Sequence, residues 1–68
     1  MTQRVNLRRH MSKPGTEKAW EFWRQSGHRI FIPKSVVSHI SQTGLYDTSD
    51  FCAVQVEVEE WFAEKEGL

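Results

Sequence analysis

Lys18-Ala19-Trp20-Glu21-Phe22-Trp23-Arg24-Gln25, then Ser26-Gly27, then His28-Arg29-Ile30-Phe31-Ile32-Pro33, is the stretch on which the fold turns. Two runs rich in aromatic and β-branched residues, separated by a Ser-Gly turn signal, specify a β-hairpin. Its register matters, because a slip of one residue moves a whole strand's side chains to the other face. A two-residue turn sets Arg24 against Arg29, an unfavourable like-charge pair. A three-residue loop pairs Gln25 with Arg29 and is the preferred register. Trp20, Phe22, Ile30 and Ile32 then share one face, and Trp23 and Phe31 meet on the other. Such a hairpin is apolar on both sides, so something must cover Trp23 and Phe31.

Working outward, residues 2–9 alternate around Val5 and Leu7, with Arg4, Asn6 and Arg8 on the opposite side. This reads as a weak strand or a frayed arm, and residues 1–15 are accordingly a flexible basic arm or an edge strand. His10 to Thr16, with Lys13-Pro14-Gly15, is a turn or linker. Pro33 cannot donate a ladder hydrogen bond and ends its strand or lies at an edge. Ser35 is placed to cap one or two helical turns carrying Val36, Val37 and Ile40, although a short strand fits these β-branched residues too. Ser41 to Asp50 is a polar loop. Ala53 to Glu59 alternates Val54, Val56 and Val58 with Gln55, Glu57 and Glu59: a strand with one side in water, its carboxylates discouraging edge-to-edge pairing. Glu60 to Glu66 is a short helix that packs Trp61 and Phe62 on the sheet and stops at Gly67.

At 68 residues there is room for one small domain, and the 38% of apolar residues suffices for one thin core. The single cysteine excludes an intrachain disulfide framework. No apolar run is long enough for a transmembrane span, and nothing behind the first charges resembles a secretory signal, so a cytoplasmic chain is expected. The net charge of zero hides a division: residues 1–34 carry eight bases against two acids, and residues 35–68 one base against seven acids. A nucleic-acid grip normally shows a basic excess over the whole domain. This dipolar field suits orientation on a charged protein surface.

Catalytic and metal chemistry find little support. His10, His28 and His39 are 18 and 11 residues apart and Cys52 follows 13 later, without the close ligand pairs of structural zinc. Asp47 and Asp50 lack the rest of a calcium loop. Cys52, between Phe51 and Ala53, reads as a buried, inert thiol. Lys34-Ser35 lacks the preceding glycines of a phosphate loop. We expect no enzyme, no cofactor and no metal.

Two binding chemistries remain. Trp23 and Phe31 with Arg24 and Arg29 are residue types enriched at protein interaction hot spots, and Glu57, Glu59, Glu60 and Glu64 offer an acidic surface. Alternatively Trp23 and Phe31 stack the bases of a single strand, with Arg4, Arg8, Arg9 and Lys34 on its phosphates. The plainer reading packs both aromatics beneath the C-terminal helix, because aromatic stripes are more often core than site. A homodimer would bury the same patch.

Thr16-Glu17-Lys18-Ala19-Trp20, Phe31-Ile32-Pro33-Lys34-Ser35, and Trp61 through Gly67-Leu68 together resemble a group of short phage and prophage proteins. The likeness covers about residues 16–40 and 54–68; Phe31 stands where a Trp is more familiar. It implies a protein that occupies a surface on a host machine, inhibitors of CRISPR–Cas complexes being a prominent class. The combined expectation is a single α+β domain over residues 1–68, mainly β. It comprises a small antiparallel sheet of three or four strands, an SH3-like or partial barrel if curled, and a short C-terminal helix. Its expected role is that of a non-enzymatic, anti-CRISPR-like protein-binding module for a host complex, with single-strand nucleic-acid binding as the alternative.

Overall fold

Alternating valines account for the longest pairing in the molecule. The computed structural model describes residues 1–68. It contains strands β1 (Thr2–His10), β2 (Ala19–Trp23), β3 (Arg29–Pro33), β4 (Val37–Gln42) and β5 (Phe51–Glu59), a 3-10 turn at Lys34–Val36, and helix α1 (Glu60–Glu66). All five strands form one antiparallel sheet in the spatial order β3-β2-β1-β5-β4. The mainly-β reading with a short C-terminal helix holds, with five strands in place of three or four.

β1 and β5 pair from Thr2 opposite Glu59 to His10 opposite Phe51, which sets Val5 against Val56 and Leu7 against Val54. Their apolar sides coincide, and burying them together fixes the register. β1 is therefore the central strand, neither an arm nor an edge. β5 is flanked by β1 and β4, so its carboxylates guard no edge. Leu7, Phe22, Ile32, Val54, Val56 and Val58 are sealed on one side of the sheet, where Phe62 and Ala63 of α1 close over them.

The β2–β3 hairpin keeps the expected faces but not the expected pairing. Trp23 lies opposite Arg29, Phe22 opposite Ile30 and Glu21 opposite Phe31. The loop is Gln25-Ser26-Gly27, closed by the Arg24 N–H donating to His28 O at 2.7 Å. Gly27 has φ +96°, and a three-residue hairpin loop needs its left-handed residue in the last position. The glycine thus places the loop one residue earlier than Ser26-Gly27-His28. The pairing shifts by two, an even number, and every side chain keeps its face.

Of Val36, Val37 and Ile40, only Val36 takes a helical turn; Val37 and Ile40 lie in β4. Ser35 gives no side-chain cap, and the 3-10 turn passes directly into β4. Pro33 and Val37 flank that turn, and β3 and β4 are the two edges of the sheet. In a flat sheet those edges stand four strand spacings, about 19 Å, apart. Three residues of 3-10 geometry advance only about 6 Å. The sheet must roll to bring its margins together, and rolling encloses the valines of β5.

α1 ends in a Schellman arrangement: Leu68 N–H donates to Ala63 O at 2.9 Å, Gly67 N–H to Glu64 O at 3.3 Å, and Gly67 sits at φ +69°. The Arg24 guanidinium donates to Gly67 O at 2.9 Å, setting a cation at the negative end of the helix. No helix is long and apolar enough to cross a membrane.

Candidate interaction surface

Sheet alternation places a second set of side chains on the side away from the core. From β1 these are Arg4, Asn6, Arg8 and His10; from β2 and β3, Glu21, Trp23, Arg29 and Phe31; from β5, Phe51, Ala53, Gln55 and Glu57. Three rings gather at one end of this outer face. Trp23 and Phe51 meet edge to face with centroids 5.0 Å apart, and His10 meets Phe51 in the same manner at 4.8 Å. Ser12 N–H donates to His10 Nδ1 at 3.1 Å, which makes that nitrogen the acceptor and orients the ring. All three rings are half-buried.

Arg8 lies over Phe51, its guanidinium carbon 5.1 Å from the ring centroid, and forms the chain's one ion pair, with Asp47. Asp47 organises the loop beneath. Its Oδ1 accepts from Ser49 Oγ at 2.7 Å, Ser49 N–H at 2.9 Å and Phe51 N–H at 3.1 Å, leaving Oδ2 for Arg8. The Ser49 hydroxyl, the Phe51 and Ser49 amides and then Arg8 stabilise the charged carboxylate and lower its pKa from 3.8. A carboxyl that titrates lower in the folded state contributes stability that is complete above its unfolded pKa and is lost as pH falls through the folded value. Between about pH 5 and pH 3 the melting temperature of the parent should therefore fall more steeply than that of Asp47→Asn, as read by thermal melts across that range. Parallel curves would contradict the assignment.

A depression of about 280 Å³ lined by Arg8, Trp23, Arg24, Gln25, Gly27 and Phe51 opens beside the rings. Phe31 stands apart from them, 46% exposed, with the Arg29 guanidinium carbon 5.5 Å from its centroid. At the other end of the face, Arg4, His39, Ser41, Gln55 and Glu57 line a wholly polar hollow of about 260 Å³, where Thr2 Oγ1 donates to Glu57 Oε1 at 2.9 Å.

The residues singled out from sequence are thus partly brought together. Trp23, Phe31 and Arg29 share the outer face, on the side opposite the core that α1 closes. Trp23 and Phe31 do not pair, however: Trp23 faces Arg29 across the strands and takes Phe51 and His10 as ring partners. Arg24 is occupied by the helix end. The acids divide: Glu57 and Glu59 lie in β5, Glu60 and Glu64 one helical turn apart on α1 beside the exposed Trp61. The four cations of the nucleic-acid reading divide too. Arg4 and Arg8 project outward, whereas Arg9 and Lys34 lie 5.8 Å and 4.3 Å from the centroid of Trp20, which packs against the core. Near that end the Tyr46 phenol is held above its ordinary pKa of 10.0, first by desolvation and then by the neighbouring Cys52 thiol, which is itself buried.

Sequence reasoning missed His10, Phe51 and Glu21. The first two sit at element ends, where alternation gives no reading. No three His, Cys, Asp or Glu side chains come together as a metal-holding group. Comparison with family models, with curated proteins and with solved structures finds no match to this chain.

Proposed function

We propose that the chain is a non-enzymatic protein-binding module that docks through the outer face of its sheet. The observation that carries this reading is the placement of Trp23, Phe51, His10, Phe31 and two arginines on one accessible face while the core on the opposite side is closed without them. Aromatic and arginine side chains held by a rigid sheet are the composition of an interaction hot spot. The context is the expected resemblance to small phage proteins, with the five-stranded sheet read as an SH3-like partial barrel. In it, the partner is a host protein complex of defence or nucleic-acid processing, met in the host cytoplasm and inhibited by occupation of its surface.

Single-strand nucleic-acid binding is the second reading, favoured by the Arg8–Phe51 and Arg29–Phe31 pairs on an open sheet face. Protein binding is preferred because the Trp23 and Phe51 rings already pack on each other and Asp47 neutralises Arg8.

The chain, immobilised, is expected to retain a partner from bacterial lysate that Trp23→Ala and Phe31→Ala variants release, and to bind fluorescent single-stranded DNA and RNA no tighter than about 100 μM. Tight binding that weakens steeply with salt would replace this reading with the second. A concentration-dependent doubling of mass by light scattering, abolished by Trp23→Ala, would make the occupant another copy of the chain.

A further inference from the structure

One carboxylate in this molecule has no reason in the fold. Glu21 is only 8% exposed, and its Oε2 is sealed without a hydrogen-bond partner, the one buried side-chain polar atom so placed. No cation of the chain pairs with it, since the single ion pair is Arg8–Asp47. A buried acceptor without a donor opposes folding, and a charged one does so more strongly. An uncharged side chain of the same shape would serve the sheet better.

The surroundings indicate what is missing. Glu21 lies on the outer face, with Trp23 two residues along the same strand and Phe31 directly across. Aromatic walls around a carboxylate make a receptor for a cation, because the ring faces and the carboxylate attract the same charge. Arg29, on the diagonal from Glu21, already shows a guanidinium resting over Phe31. Neither Trp23 nor Phe31 belongs to the sealed core, so an entering side chain displaces no core residue.

We propose that Glu21, between Trp23 and Phe31, is the receptor for an arginine or lysine side chain presented by the partner protein. This rests on the protein-binding reading and narrows it: the partner offers a protruding cation, as surfaces built to hold nucleic acid do. The unsatisfied carboxylate lowers the stability of the free protein and strengthens the complex.

Two measurements test it. Glu21→Met, which replaces the carboxylate with an apolar chain of similar length, should melt about 4–8 °C higher than the parent, the shift expected for relieving one unsatisfied buried group in a domain of this size. Isotope-labelled protein titrated with the blocked tripeptide glycyl-arginyl-glycinamide should show saturable movement of the Glu21 carboxyl carbon and the Trp23 indole N–H, with a Kd in the millimolar range usual for a single contact. The glutaminyl analogue should bind about tenfold more weakly, as should the arginyl peptide to Glu21→Gln, a difference of about 1.4 kcal/mol. The proposal is overturned if Glu21→Met melts lower than the parent, or if the two peptides bind alike. A captured partner that is lost with Trp23→Ala but retained by Glu21→Gln would remove the receptor and leave the docking face standing.

Discussion

Phe22→Ala is expected to leave the chain largely unfolded at physiological temperature. Phe22 is 1% exposed and is the largest of the sealed side chains, pairing with Ile30 across the hairpin and meeting the valines that β5 contributes. Truncating a buried phenylalanine costs about 3–5 kcal/mol, part lost transfer energy and part cavity. A single core in a domain of this size supplies about 3–5 kcal/mol of net stability. The two quantities are comparable, so one substitution removes the margin. Phe22→Leu should cost about 1–2 kcal/mol and retain a cooperative melt. Urea titrations followed by tryptophan fluorescence distinguish these outcomes. A Phe22→Ala protein melting within a few degrees of the parent would mean that the core lies elsewhere.

Gly15→Ala should be nearly as damaging, for a reason that has no counterpart at Gly27. Gly15 has φ +128°, and a Cβ there would lie 2.7 Å from Glu21 N and 2.9 Å from Trp20 Cα, both backbone atoms that cannot rotate away. The segment is held against β2 by the Glu21 N–H donating to Pro14 O at 3.0 Å and the Thr16 N–H donating to Ala19 O at 2.8 Å. Dihedral strain of about 1–3 kcal/mol and weakening of two hydrogen bonds at about 1 kcal/mol each amount to about 3–5 kcal/mol. Gly27 also has positive φ, but a Cβ there meets nothing within 4 Å, so Gly27→Ala carries only the dihedral cost of about 1–2 kcal/mol. Chemical denaturation of the two variants side by side should show Gly15→Ala as clearly the weaker. Because Pro14 and Gly15 flank the backbone of Glu21, amide exchange at Glu21 should accelerate in the first variant and not in the second. Equal losses, or unchanged exchange at Glu21, would refute this account of the turn.

Alternation made most of the sheet legible. Val54, Val56 and Val58 declare their strand because one side of β5 meets water and the other does not. The hairpin faces were readable even though its pairing was not: side chains repeat every two residues, and the displacement was by two. β4 defeats such reasoning for a definable reason. Its register shifts between Val37 and His39, so Val37 opposite Val58 and Ile40 opposite Val56 both turn inward though three residues apart. A bulge of this kind gives a strand the apolar spacing of a helix. The outer face was half visible. Trp23, Phe31 and Arg29 fell where alternation puts them, but Arg24 was assigned to the surface because its carbonyl partners, at residues 66 and 67, lie over forty positions away. Glu21 gave no signal, since a charged residue in an aromatic strand reads as solvated until its neighbours in space are known.

The ladder between β1 and β5 joins the beginning of the chain to its next-to-last element, with Thr2 opposite Glu59. That central ladder cannot begin before Phe51 is available to His10, and it is complete only when Glu59 has followed. The middle strand therefore waits for its longest pairing until β2, β3 and β4 have been made. A truncation that removes β5 should give a chain without its central ladder or its valine core, open to proteolysis throughout.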